Sequence, residues 1–247
     1  MDWKADSVQA VMFIPPTDTQ RDALALWALV FPNNSPDAFQ KAAASPNLHS
    51  SASGERNGFN ITIGSQVGRI DVSFGPVMPP MFGLQPVLAP PRISDIQGAV
   101  YGANAILKTL GGIFSPSRIA IVLDMAVTVA AGNEVSVLRS ALPSIPIPDN
   151  SSDTVVQFNV PRSFEKYPML PMNRLCTWSV GEIGFIIGNN LGTAVNNGFQ
   201  LTRFVGFKID LNTAPNHALL GYDVSILADE LAAEAGLLLR DGLGRLL

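Results

Sequence analysis

Charge is scarce in this chain. Of its 247 residues, 15% are Asp, Glu, Lys or Arg, against about a quarter in an ordinary domain. The 16 Lys and Arg residues fall singly rather than in runs, and the net charge is -4. Nucleic-acid binding draws most of its affinity from neutralised phosphates, so this balance argues against a nucleic-acid partner. Cysteine is nearly absent: Cys176 stands alone, which excludes an internal disulfide and a cysteine-based zinc site and fits a reducing, cytoplasmic setting. Histidine is almost as rare, and neither His49 nor His217 has a partner at metal-ligand spacing. A long hydrophobic run is missing too. The most apolar stretch, Ile119 to Ala131, is interrupted by Asp124 and Thr128 and falls short of the roughly 20 residues a membrane helix needs, so no membrane association is expected. The first residues, Met1 to Asp6, lack the basic-then-apolar order of a signal peptide. No glycine fingerprint or phosphate-loop lysine is present, so no cofactor is implied.

What remains is an apolar, neutral chain. Hydrophobic residues make up 47%, and the mean hydropathy is +0.25. With few charges to cover its surface, such a chain points to area buried against a protein partner or in a homo-oligomer.

Periodicity divides the chain into alternating elements. Ser7 to Ile14 reads as a strand, and a helix carrying Ala23, Leu24, Trp27, Val30 and Phe31 follows Thr17 and Gln20 at capping-box spacing. Ser35-Pro36 suggests a short helix to about Ala44, and Ser45 to Asn57 a polar loop. Phe59 to Ile63 and Val67 to Phe74 flank Gly64-Ser65-Gln66 as a hairpin. Gly75 to Pro91 is a proline-rich, apolar linker. A helix capped by Ser94 runs to Gly111-Gly112. The second half repeats the order: a strand over Ser117 to Val129, a short helix from Asn133 to Leu142, strands over Val155 to Val160, Leu175 to Ile187 and Phe199 to Leu211, and a closing helix over Val224 to Leu239. The expectation is an α+β fold of two related modules with antiparallel sheets and flanking helices, an N-terminal one over 1–91 and a C-terminal one over 92–247.

Candidate chemistry is sparse. Asp71, Asp124 and Asp210 each sit among aliphatic residues on a strand. They read either as members of a solvated sheet face or, if they converge, as a carboxylate set for a divalent metal in a hydrolase or nuclease. Arg203 breaks the alternation of its strand and needs a partner, for which Glu182 on the preceding strand is nearest. With Arg69, these two are the candidate ligand-binding residues of a small-molecule or nucleotide-signal sensor. Ser163 and Lys166 match the Ser-x-x-Lys spacing of some hydrolases, but Pro161 and Pro168 spoil the helix that spacing needs. On the last helix, Leu231, Leu237, Leu238 and Leu239 offer an apolar interface.

The order of elements, with Gly68-Arg69-Ile70-Asp71, Gln157-Phe158-Asn159, Asn173-Arg174 and Lys208-Ile209-Asp210 ahead of a terminal amphipathic helix, resembles a broad family of uncharacterised bacterial proteins. Members of that family are often encoded near mobile-element or phage-defence genes. The resemblance implies no catalytic residues. It fits a non-catalytic interaction subunit of a bacterial intracellular complex, which is the leading expectation from the sequence.

Overall fold

The structure is a computed structural model that describes residues 1–15, 21–41, 50–78, 90–187, 198–215 and 219–246. His49 and His217, the Thr17 cap, most of the proline-rich linker and the tip between the two longest strands lie outside these residues.

The chain begins with β1 (Lys4–Phe13), the strand around which the rest assembles. After α1 (Ala23–Val30) come β2 (Ala38–Lys41), β3 (Ser50–Arg56), β4 (Phe59–Gln66) and β5 (Arg69–Pro76). Next are α2 (Ile96–Gly111), β6 (Arg118–Val129), α3 (Glu134–Ala141), β7 (Val155–Asn159), β8 (Arg162–Ser163), β9 (Pro171–Ile187) and β10 (Gly198–Thr213). The long α4 (Val224–Asp241) and a 3-10 turn over Gly242–Arg245 follow. The described strands form one ten-stranded antiparallel sheet in the order β2-β3-β4-β5-β1-β6-β10-β9-β7, with β8 beside β9. The fold is α+β. β1 pairs with β5 on one side and β6 on the other, so sheet hydrogen bonding is continuous across the 91/92 position in the chain.

Alternation explains why one face is apolar. Val8, Ala10 and Met12 of β1, Ile119, Ile121 and Leu123 of β6, and Val205, Phe207 and Ile209 of β10 are buried on the same side. Over them lies a layer of helices. Ala99, Val100, Ala103 and Leu107 of α2, and Leu227, Leu231 and Leu238 of α4, fill the space above the strands. Asp229 on α4 ties the two helices together, accepting from Asn104 Nδ2 at 2.8 Å and meeting Lys108 Nζ at 2.6 Å. The first helix is held through serines: Ser50 Oγ accepts from the Ala23 N–H at 2.7 Å, and Ser65 Oγ donates to the Arg21 carbonyl at 2.6 Å. The other face of the sheet, with Ser73, Gln9, Asp124, Lys208 and Thr177, carries none of the described helices.

Several boundaries differ from the sequence reading, each for a local reason. The β4–β5 hairpin turns at Val67-Gly68, where Gly68 takes φ +70°, and Gly64-Ser65-Gln66 continue the strand. Strand β3 occupies most of the expected polar loop, because its inward Ser50 and Ala52 are small enough to sit beneath α1 and Gly54 lets Asp37 approach closely. Residues 38–41 are extended rather than helical, pairing with Ser50 to Ser53. The cap of α2 is Asp95, whose carboxylate accepts from the Gly98 N–H at 2.8 Å.

Helix α2 approaches the sheet closely at Gly102, where an added Cβ would lie 2.7 Å from Cε1 of Phe74. That ring is itself locked edge-on to Phe59, with centroids 5.8 Å apart. Replacing glycine by alanine inside a helix ordinarily stabilises by about 1 kcal/mol. Here overpacking should win, and Gly102→Ala is expected to lower stability by about 1–2 kcal/mol. Urea denaturation checks this: the midpoint should fall at unchanged slope, and a midpoint at or above that of the wild type contradicts the packing described.

Candidate functional site

Asp71, Asp124 and Asp210 all project from the helix-free face, but from different strands and levels. Asp71 lies opposite Val11, which lies opposite Ala120, while Asp124 is four residues further along β6. That offset is about 13 Å along the sheet and two strands across it. Asp71 is engaged by Arg69 at 2.6 Å and by Gln66 at 2.9 Å. Asp124 faces Lys208 across the β6–β10 pair; burial raises its pKa, with Lys208 opposing and Asp6 adding to the rise. Asp210 accepts from Asn212 Nδ2 at 2.8 Å. Among the described residues, no group of three His, Cys, Asp or Glu is placed to hold a metal.

Arg203 reaches two carboxylates, Glu134 at 3.0 Å and Glu182 at 3.6 Å. Glu134, the first residue of α3, comes from 69 residues earlier in the chain. Its carboxyl is held low chiefly by its own main-chain N–H, and further by Arg203. Ser163 lies on strand β8 rather than on a helix, and the main-chain N–H of Lys166 donates to Glu230. Leu231 and Leu238 are fully buried beneath the chain's own sheet and helices, and Leu237 and Leu239 are half-buried beside them. The apolar stripe of α4 is thus occupied by the core of this chain.

Interrupting that stripe is Glu234, only 1% exposed. Its carboxylate meets three guanidinium groups: Arg162 from β8 at 2.8 Å, Arg174 from β9 at 3.0 Å, and Arg245 from the 3-10 turn at 2.9 Å. One turn earlier, Glu230 accepts from the main-chain N–H groups of Glu165 and Lys166 at 2.6 and 3.0 Å. Arg174 also donates through Nε to the carbonyl of Val160, just past the end of β7. Together these bonds clamp α4 onto the β7–β9 corner of the sheet. Burial tends to raise the pKa of Glu234, but Arg245, Arg174 and Arg162 outweigh it and the net direction is down. The signal was legible: positions 227, 231, 234 and 238 share one helix face, and a glutamate among leucines needs cations. Close by, burial pushes the Cys176 thiol up to about 12, which keeps it protonated and inert.

The corner so clamped ends in a sheet edge that no described strand covers. Val160 donates its N–H to the carbonyl of Arg174, and Val180 donates to the carbonyl of Thr154. Even-numbered residues of this strand therefore turn their main-chain groups toward β9. Val155, Gln157 and Asn159 turn theirs outward, where no described strand pairs with them. Their side chains are exposed, Val155 by 63%. Val156 and Phe158 point the other way, and the Phe158 ring stands edge-on to Trp178 at 6.3 Å.

A cavity of about 680 Å³ lies at the end of α4, bounded by Met1, Trp3, Ser140, Trp178, Phe207 and Arg240. Its wall is an aromatic stack, with Trp178 on Phe207 at 4.5 Å and Trp3 on Phe207 at 5.4 Å. Arg240 is already engaged by Asp241 through both terminal oxygens, at 2.7 and 2.9 Å. No described helix is long and apolar enough to cross a membrane. Comparison of this chain with protein-family models, with curated proteins and with solved structures gives no match.

Removing the negative charge of Glu234 leaves three guanidinium groups around a neutral amide. Glu234→Gln is expected to cost about 3–5 kcal/mol, the usual penalty for breaking a buried ion pair from one side. The pH dependence follows from the sign of the shift. Because the folded pKa is depressed, the stability Glu234 contributes is complete above the ordinary value of 4.5 and is lost as pH falls through the folded pKa. Denaturation midpoints of the variant should therefore be low near neutrality and flatter than those of the wild type below pH 4.5. Parallel acid profiles for the two proteins would contradict the clamp.

Proposed function

We propose that this chain is a non-catalytic interaction subunit whose working surface is the free edge of its sheet at β7. The observation that supports this reading is the outward row of main-chain N–H and C=O groups on Val155, Gln157 and Asn159, on a strand with no charged residue, proline or glycine. Exposed edges of this kind are templates for another strand, and proteins that keep them unpaired usually blunt them with lysine, proline or inward charges. Lys41 ends the opposite edge strand, β2. Nothing comparable lies within β7, and the Glu234 clamp behind it holds the strand ready for a partner, which lowers the entropy lost on association. A cytoplasmic setting accords with the lone, buried Cys176. The resemblance to bacterial proteins encoded near phage-defence genes would set such a subunit in a defence complex.

A second reading, a small-molecule sensor, draws support from the cavity walled by Trp3, Trp178 and Phe207. A flat apolar ligand seated there would quench tryptophan fluorescence and raise the melting temperature in a metabolite screen.

The edge reading is tested by mass. Wild-type protein should run in light scattering as a species heavier than the 26.3 kDa chain, alone or with a second protein from its source cell. Gln157→Pro should run as the single chain. Gln157 turns its N–H outward, so proline there removes no main-chain hydrogen bond of the monomer, only the exposed side-chain bond that Thr177 Oγ1 donates to Gln157 Oε1 at 3.2 Å. A wild-type protein that stays a single chain in both settings contradicts the reading.

A further inference from the structure

Resting on that reading, we infer that the strand added at β7 is the β7 of a second copy of this chain. The two strands would run antiparallel about a twofold axis through Gln157 and join two sheets into one. Three features point to a copy rather than to an unrelated strand.

First, the free segment is symmetric about Gln157. Two residues to either side, Val155 and Asn159 turn their main-chain groups outward, so Val155 would pair with Asn159 of the second copy and Gln157 with itself. Each of these three positions is of the kind that exchanges both its N–H and its C=O with the residue opposite, giving a closed ladder of six hydrogen bonds.

Second, the segment stops at symmetric points. Asp153, four residues before Gln157, sits at φ +52° and breaks the extended backbone. Pro161, four residues after it, has no N–H to donate. In the twofold register these two terminators face each other, so the ladder ends at the same level on both strands.

Third, the strand is neutral. A twofold axis sets the central residue against its own duplicate and its neighbours close to it, so a charged residue near the centre would oppose itself. Val155 through Asn159 carry no charge, and the Gln157 side chain, whose Oε1 accepts from Thr177 Oγ1 at 3.2 Å, keeps its amide N–H groups and a second lone pair for its duplicate across the axis. On the helix side, Phe158 and Val156 of the two copies would extend the apolar layer already formed with Trp178.

This arrangement also closes. Pairing β7 with β7 consumes both free edges and leaves two β2 edges, each ending in Lys41 and next to Asp37. The assembly would therefore stop at a dimer instead of extending into a fibre.

The test uses the full chain. Light scattering at tens of micromolar should give twice 26.3 kDa, relaxing toward 26.3 kDa on dilution. Both Gln157→Pro and Gln157→Lys should give 26.3 kDa at every concentration, with the circular dichroism of the wild type and the urea midpoint that the wild type reaches when diluted to the single chain. Either variant suffices if the other fails to fold. Gln157→Cys should be captured as a covalent dimer by a short bis-maleimide, while Asn60→Cys, exposed on β4, should not; buried Cys176 contributes no background. A wild-type dimer that survives both edge variants, or a Gln157→Cys protein that does not cross-link, overturns the twofold pairing. If the protein is instead a single chain that holds a different protein, and loses it in Gln157→Pro, the second-copy inference fails while the edge reading stands. If it is a single chain that holds nothing, both fail.

Discussion

A sheet that does not close on itself has two edges, and every second residue along each edge presents an N–H and a C=O that must find water, a guard or another strand. This constraint organises the molecule. Ten antiparallel strands with helices on one side give a stable core, but they place β2 and β7 at the two margins. The chain treats these margins differently. At β2 the strand is short, exposed and ends in Lys41, beside Asp37, whose carboxylate accepts from the Glu55 N–H. At β7 the strand is neutral and its amides are left facing outward. Low charge throughout the chain and an unguarded margin point the same way.

A polar cluster joins that margin to the helix behind it, beside the packing of Val156 and Phe158 on the core. Glu234 lies on a helix face otherwise made of Leu227, Leu231 and Leu238, and it draws Arg162, Arg174 and Arg245 from three separate segments onto one carboxylate. A buried ion cluster is weak evidence for stability, because the desolvation it requires offsets much of the attraction. It is better evidence for position. Arg174 joins the cluster to the carbonyl that ends the free strand, so the placement of that strand depends on the helix behind it.

Long elements with strict periodicity were legible in the sequence. The apolar odd positions of β10, from Val205 to Leu211, set its inward face, and the closing helix was read within two residues of its end at Asp241. Short elements of small polar residues were not. Ser50 to Arg56 has the composition of a loop, yet Ser50 and Ala52 are buried because α1 needs small neighbours and a hydroxyl acceptor for the Ala23 N–H. The hairpin turn was misplaced by three residues because Gly64 offered a turn signal within a strand, while the positive φ fell at Gly68. Of the candidate residues, the pairing of Arg203 with Glu182 could be read from adjacent strands, whereas Glu134 lies 69 residues away and could not. The free edge was beyond sequence reasoning altogether. Strand order is set by non-local pairing: β1 joins β5 to β6 and pushes β7 to the margin, and nothing within Val155 to Asn159 announces it.

Amide hydrogen exchange at residue resolution tests the central claim most directly. If the β7 margin is the working surface, the N–H groups of Val155, Gln157 and Asn159 should exchange slowly in concentrated wild-type protein and speed up on dilution, while those of Val160 and Val180, bonded within the sheet, stay protected throughout. Outward amides that exchange as fast as those of an unstructured peptide at every concentration, and in the presence of every partner tried, would contradict it.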